Sequence, residues 1–148
     1  MAAVGIVNYL ENIKRCQEKK FADIKTIHVV LGNESCDLDS AVSSLALAYI
    51  CSLKTNDTEE LYIPVLNINR NKYHLRTETT YLFRGHGISD DLLTFCNEID
   101  LQDLHKQEKL KLLLVDHNVL AEKYADLEGC VVTVIDHRPQ VRKPDVRL

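Results

Sequence analysis

The chain has 148 residues, of which 18 are basic and 22 acidic, so its formal net charge is −4. A hydrophobic content of 45% and a charged content of 27% are typical of a globular protein with one domain. These values exclude disorder, collagen and a coiled coil as descriptions of the whole chain. The net acidity argues against a nucleic-acid polymer as partner, and no apolar run approaches the ~20 residues that would cross a membrane.

The N-terminal segment has a short apolar stretch without the basic residues that begin a signal peptide. Five cysteines are spread along the chain and form no CxxC pattern. We therefore expect reduced thiols in a cytoplasmic protein.

Alternating strands and helices are predicted along the chain. Apolar residues at helical spacing predict an amphipathic helix within residues 1–25, which packs on the domain that follows. Strands are predicted at 26–31, 61–66, 94–97, 110–115 and 131–135. A helix that Asp39 or Ser40 caps extends to Leu53, and shorter helices are predicted at 77–83, 89–93, 101–107 and 120–127. This order predicts an α/β fold, a mostly parallel sheet with helices on both faces.

Acidic and imidazole side chains follow three of the predicted strands. They are Asp37, Asp39, Asp116, His117, Asp136 and His137. Ligands of open α/β sheets bind at the carboxyl ends of the strands, so we expect these side chains to meet in one crevice. Neighbouring carboxylates repel one another unless cations neutralise them. Carboxylates with an imidazole suit Mg²⁺ or Mn²⁺, and also Co²⁺ or Zn²⁺, and two such ions can hydrolyse phosphate compounds.

Each of these residues also has a simpler interpretation. An aspartate at the start of a helix or in a turn is common and needs no metal. Asp-x-Asp after a strand also occurs in haloacid dehalogenase-type phosphatases, but there it follows the strand almost directly, whereas Gly-Asn-Glu-Ser-Cys intervenes here. We interpret His28 as a structural residue of its strand and Cys36 as a small turn residue.

Five segments resemble the DHH phosphoesterase superfamily, and within it the prune and exopolyphosphatase branch, to which family II inorganic pyrophosphatases are related. They are HVVLGNESCDLDSAVSSLALAY (28–49), PVLNINR (64–70), FCNEIDL (95–101), LLLVDHNVL (112–120) and VTVIDHRP (132–139). The prune-like branch is marked by GNESCDLDS and by DHRP in place of the usual DHH.

The resemblance implies a centre with two ions of Mn²⁺ or Mg²⁺, with Co²⁺ as an alternative. The implied metal ligands are Asp37, Asp39, Asp116 and His137, with Asp116 bridging the two ions. Asp136 would not bind the metal itself but would orient the side chain of His137. Asn33 stands where the pyrophosphatases have a metal-binding histidine, and Arg138 replaces the second histidine of DHH. Both would contact the phosphate substrate, and Asp116, His117 and Arg138 would be the catalytic side chains.

The function implied by the resemblance is metal-dependent phosphohydrolysis by a metal-bridging hydroxide. The substrate would be short-chain polyphosphate, pyrophosphate or a cyclic nucleotide. The family's fourth acidic motif and its C-terminal DHHA2-type domain have no counterpart in the 148 residues. We therefore expect residues 26–148 to form a partial DHH domain with little or no activity alone. The alternative function is a non-catalytic protein-interaction module that keeps the DHH fold.

Overall fold

The computed structural model describes residues 2–139, with side chains from residue 5 onward. Residue 1 and the segment at 140–148, with which the expected DHH domain ends, lie outside the described residues. Within the described range no helix is both long and apolar enough to cross a membrane.

The centre of the fold is a sheet of five parallel strands. They are β1 (Thr26–Leu31), β2 (Glu60–Leu66), β3 (Thr94–Phe95), β4 (Leu110–Val115) and β5 (Val131–Ile135). Their order across the sheet is β3-β2-β1-β4-β5, and every neighbouring pair is parallel. The central strands are near-continuous apolar runs, as expected for strands that helices cover on both faces. The predicted α/β fold is confirmed.

Within residues 2–139 the structure has four α-helices and three 3₁₀ helices, and all but the first helix lie between strands. The α-helices are α1 (Ala2–Glu18), α2 (Leu38–Lys54), α3 (Thr77–Gly85) and α4 (Leu101–Lys106). The 3₁₀ helices are Arg70–Leu75, Asp90–Leu92 and Glu122–Cys130. The last of them overlaps the helix predicted at 120–127, but it is a 3₁₀ helix. Its buried residues, Tyr124, Leu127 and Cys130, recur every third position, which is the period of a 3₁₀ helix.

Apolar side chains fill both sides of the sheet. Val30 and Leu113 point to one face, where Ala48 of α2 packs against them. Alternate strand residues, such as Val29 and Leu112, belong to the larger core that includes Leu127. The helix at the N-terminus joins this core through its apolar stripe. Two of its side chains, Leu10 and Ile13, are each 1% exposed. Burial of each side chain stabilises the folded state by about 1.5–3 kcal/mol.

The chain reverses direction across the sheet at β1. From β1 it passes to β2 and β3 on one side, whereas β4 and β5 lie on the other. The carboxyl ends of β1 and β4 therefore border the crevice in which open α/β sheets bind ligands. Gly32, the first residue after β1, permits a close approach here, because a Cβ at this position would overlap the Ser40 hydroxyl at the start of α2.

Candidate metal centre

Asp116 follows β4 directly and lies at the crevice. Its backbone is in the left-handed region, with φ of 59°, which aspartate tolerates better than most residues. The Asp116 N–H donates to the Ile135 carbonyl at 2.9 Å and so ties the end of β4 to the end of β5. The residue is only 8% exposed. Asp116 thus does not cap a helix, since the next helical segment begins at Glu122.

Asp136 is held by three donors just beyond β5. Its Oδ1 accepts hydrogen bonds from the His137 N–H at 2.9 Å and from Arg138 Nη1 at 3.0 Å. Its Oδ2 accepts from Asn118 Nδ2 at 2.8 Å. The side chain is 2% exposed, so these bonds replace the water that it loses. The carboxylate is therefore fixed beside the imidazole of His137.

Ligand atoms of Asp116, Asp136 and His137 all lie within 4.8 Å of one another. His137 Nδ1 is 3.5 Å from Asp116 Oδ1 and 3.6 Å from Asp136 Oδ1. The His137 side chain is 72% exposed, so it is open to an incoming ion or substrate. Two carboxylates and an imidazole form a donor set that suits a divalent cation such as Mn²⁺, Mg²⁺ or Zn²⁺.

Further negative charge lies near Asp116 and acts on the pKa of its carboxyl group. Burial raises the pKa above its ordinary value, and the carboxylates of Asp39 and Asp37 raise it further. Arg138 and His137 act in the opposite direction. Burial and like charge together disfavour the ionised form of Asp116, and a bound cation would relieve that repulsion.

Asp37 and Asp39 lie exposed at the start of α2. Asp37 is the N-cap, because its Oδ1 accepts from the Ser40 N–H at 3.0 Å, and the expectation that Asp39 or Ser40 caps the helix is wrong. Asp39 lines a cleft of about 510 Å³ together with Asp116, Asp136 and His137. The structure therefore brings Asp39 to the same cleft and Asp37 within electrostatic reach of Asp116.

Asn33 braces Asp116 from the turn after β1. Its Nδ2 donates to Asp116 Oδ2 at 2.9 Å, and its Oδ1 accepts from Ser35 Oγ at 2.7 Å and from the Cys36 N–H at 3.1 Å. The Asn33 N–H donates to Ser40 Oγ at 2.7 Å. Both ends of the amide are thus engaged within the protein, which favours a positioning role for Asn33.

Arg138 bridges the ends of β4 and β5. Its Nη1 donates to the Asp116 carbonyl and to Asp136 Oδ1, and lies 3.5 Å from Asp116 Oδ1. The side chain is 48% exposed, so the guanidinium partly neutralises the two carboxylates while facing solvent. A planar guanidinium in this position suits an oxyanion ligand.

His117 and Asn118 follow Asp116 and differ in what they contact. His117 Nδ1 lies 3.0 Å from the Val115 carbonyl, and the ring is outside the group of three ligands identified within residues 2–139. Asn118 is 6% exposed and holds Asp136. It also donates to the Pro139 carbonyl at 3.1 Å. Sequence reasoning missed Asn118, for which a polar amide directly after Asp-His was the available signal.

Cys36 and His28 have environments that fit structural roles. Cys36 is 1% exposed with φ of 48°, and burial raises the pKa of its thiol to about 11. Such a thiol is uncharged at neutral pH and is a poor nucleophile. His28 is 7% exposed and stacks on Tyr62 with ring centroids 4.2 Å apart. All five cysteines lie in the described range and are free.

These features define an α/β protein with a candidate divalent-cation centre at the switch point of a parallel sheet. No family model matches the chain. It is 46% identical over 132 residues to exopolyphosphatase PRUNE1 of Bos taurus, and 46% identical over 115 residues to that of Homo sapiens. It is 39% identical over 115 residues to a putative exopolyphosphatase of Schizosaccharomyces pombe.

These alignments cover 89%, 78% and 73% of the chain, but only 28%, 25% and 28% of the respective relatives. Over the shared residues the chain belongs to the prune and exopolyphosphatase branch, as its motifs indicated. The chain spans about a quarter of the length of these curated relatives.

Proposed function

We propose that this chain provides the metal-binding part of a prune-type phosphohydrolase. Its substrate would be short-chain polyphosphate or a related phosphoester, in line with the name exopolyphosphatase that the relatives bear. The observation that best supports this function is the group of Asp116, Asp136 and His137 within 4.8 Å. The charges of Asp37 and Asp39 act on the same carboxylate.

The side chains present fit one or two divalent cations, Mn²⁺ or Mg²⁺ by preference and Co²⁺ as an alternative. Asp37, Asp39, Asp116 and His137 would hold them. When bound, such ions polarise phosphoryl oxygens and acidify water. Asp136 would help to orient the imidazole of His137, because its Oδ1 accepts from the His137 backbone N–H and lies 3.6 Å from Nδ1 of the ring.

Substrate contacts would come from the solvent-facing side of the cleft. The guanidinium of Arg138 is 48% exposed and would bind a phosphate oxygen. Asn33 would act by positioning, because its amide holds Asp116 Oδ2 at 2.9 Å. His117 would serve as a proton carrier or as a structural residue beside Asp116.

A non-catalytic interaction module is the second candidate function. The observation that favours it is the open cleft, in which the His137 side chain is 72% exposed. Water would compete with substrate in such a cleft, and transition-state charges are best stabilised where water is excluded. We therefore propose that this chain by itself turns over little or no substrate.

Tripolyphosphate binding and hydrolysis in Mn²⁺ or Mg²⁺ would test the proposed function. We expect metal-dependent tripolyphosphate binding that Asp116→Asn abolishes, with phosphate release close to background. Release that is fast and is lost in Asp116→Asn would support the hydrolase and contradict low activity. Tripolyphosphate binding that depends on neither the metal nor Asp116 would favour the interaction module. Asp126→Asn, which alters an exposed aspartate outside the cleft, is the matched control.

A further inference from the structure

A second cavity lies at the carboxyl ends of β1, β2 and β3. Its volume is about 320 Å³, and it shares no lining residue with the cleft of the candidate metal centre. The turn at 33–36 lies between the two. On one side of the turn Asn33 contacts Asp116, and on the other the Ser35 carbonyl accepts from Arg76 Nε at 2.7 Å. Arg76 lines the second cavity.

The second cavity is positively charged although the whole chain is acidic. Lys72, Arg76 and Lys123 line it, and Glu34 is the acidic residue among the lining side chains. Three positive charges against one negative charge give a formal charge of +2, whereas the chain has a net charge of −4. The cations come from two different 3₁₀ helices and their flanks, so the fold gathers them at one place. An anion is the expected ligand of such a cavity.

Asn67 lines the same cavity and carries a buried hydrogen-bond acceptor without a partner in the described part of the chain. The residue is 5% exposed, and its Nδ2 donates to the Gly32 carbonyl at 3.1 Å. This contact orients the amide and leaves Oδ1 buried with no hydrogen-bond partner among residues 2–139. A buried acceptor without a donor is costly, so a ligand that donates a hydrogen bond would be favoured here.

We propose that this cavity binds inorganic hydrogen phosphate. The negative charge of the ion would be met by Lys72, Arg76 and Lys123, and its P–OH group would donate to Asn67 Oδ1. Both forms of inorganic phosphate present near neutral pH retain at least one proton. Sulfate has the same tetrahedral shape and the charge of the doubly ionised form, but it carries no proton. The cavity would therefore distinguish two anions that a purely electrostatic site binds alike. This site is independent of the candidate metal centre and of the proposed function.

Calorimetric titration of the full chain with inorganic phosphate and with sulfate, in metal-free buffer at neutral pH, tests the proposal. We expect saturable phosphate binding that is at least about tenfold tighter than sulfate binding, as one hydrogen bond to a charged group would give. Lys72→Gln combined with Lys123→Gln should weaken phosphate binding by at least about tenfold. Asp116→Asn and the exposed control Lys106→Gln should leave it unchanged.

Three outcomes would overturn the proposal. One is the absence of saturable phosphate binding by the unaltered chain. Another is equal affinity for phosphate and sulfate, which would show charge attraction without recognition of the P–OH group. A third is phosphate binding that Asp116→Asn removes while the lysine substitutions do not, since that would place the anion in the other cleft. Circular dichroism of each variant confirms that the fold is retained.

Discussion

Asn33 Nδ2 donates to Asp116 Oδ2 at 2.9 Å, and this bond joins the turn after β1 to the end of β4. The same amide accepts from Ser35 Oγ and from the Cys36 N–H through its oxygen. One side chain thus fixes both a turn that contains a residue with positive φ and the carboxylate at the candidate metal centre.

Replacement of Asn33 should therefore affect stability as well as metal binding. Asn33→Ala removes four side-chain hydrogen bonds, and we expect a loss of about 1–3 kcal/mol in the free energy of unfolding, measured by urea denaturation. Asn12→Ala, at an exposed position of α1, is the control and should cost nothing. A variant as stable as the unaltered chain would contradict the bracing role of Asn33.

Asp116 should limit the stability of the metal-free protein. Burial and the charges of Asp39 and Asp37 raise its pKa, so its ionised form is less favourable in the folded than in the unfolded state. Above that pKa, Asp116→Asn should raise the melting temperature by about 2–4 °C. A rise of this size corresponds to a gain of about 1 kcal/mol in the free energy of unfolding. Calorimetry at pH 7 without metal measures it. A fall in melting temperature would show that the carboxylate stabilises the metal-free fold.

Any side chain at Gly32 should destabilise the fold. A Cβ there would overlap the Ser40 hydroxyl, and we expect Gly32→Ala to cost about 1–3 kcal/mol because the start of α2 must shift. Adding Ser40→Ala should give a double variant that is less destabilised than the sum of the two single changes. Gly129→Ala is the matched control, since a Cβ there meets nothing within 4 Å. Strict additivity in urea denaturation would refute the steric explanation.

His28 should make the fold less stable in mild acid. Burial lowers its pKa from 6.5, with Lys111 acting in the same direction and Glu60 opposing it. The unfolded chain therefore takes up the proton first, and stability is lost as the pH falls from about 6.5 through the lower pKa of the folded state. In His28→Gln the free energy of unfolding should depend less on pH between 7 and 5. An unchanged slope, equal to that of the exposed control His74→Gln, would contradict this.

Much of the fold could be predicted because hydrophobic patterning determines strands that are buried on both faces. The bounds of β1, β4 and β5 were predicted as observed, and β2 differs only by inclusion of Glu60. The 3₁₀ form of Glu122–Cys130 was not predicted, since spacings of three and four are hard to separate over a short segment. The N-cap at Asp37 was missed because Asp37, Asp39 and Ser40 all have capping side chains.

Part of the candidate metal centre could also be predicted from the sequence. Parallel strands place their carboxyl ends at one edge, which is why Asp116, Asp136 and His137 could be expected to meet. The contact of Asn118 with Asp136 depends on how two loops fold over each other, and no periodicity in the sequence encodes it. The metal, substrate and catalytic roles given to these residues stay predictions.

Titration with Mn²⁺ of the chain and of Asp116→Asn is the most direct test of the claim that the strand-end acids form a cation centre. We expect saturable binding by the unaltered chain, at least about tenfold weaker binding by Asp116→Asn, and no change in Asp126→Asn. Absence of saturable binding, or binding that the loss of the Asp116 charge does not weaken, would contradict the claim.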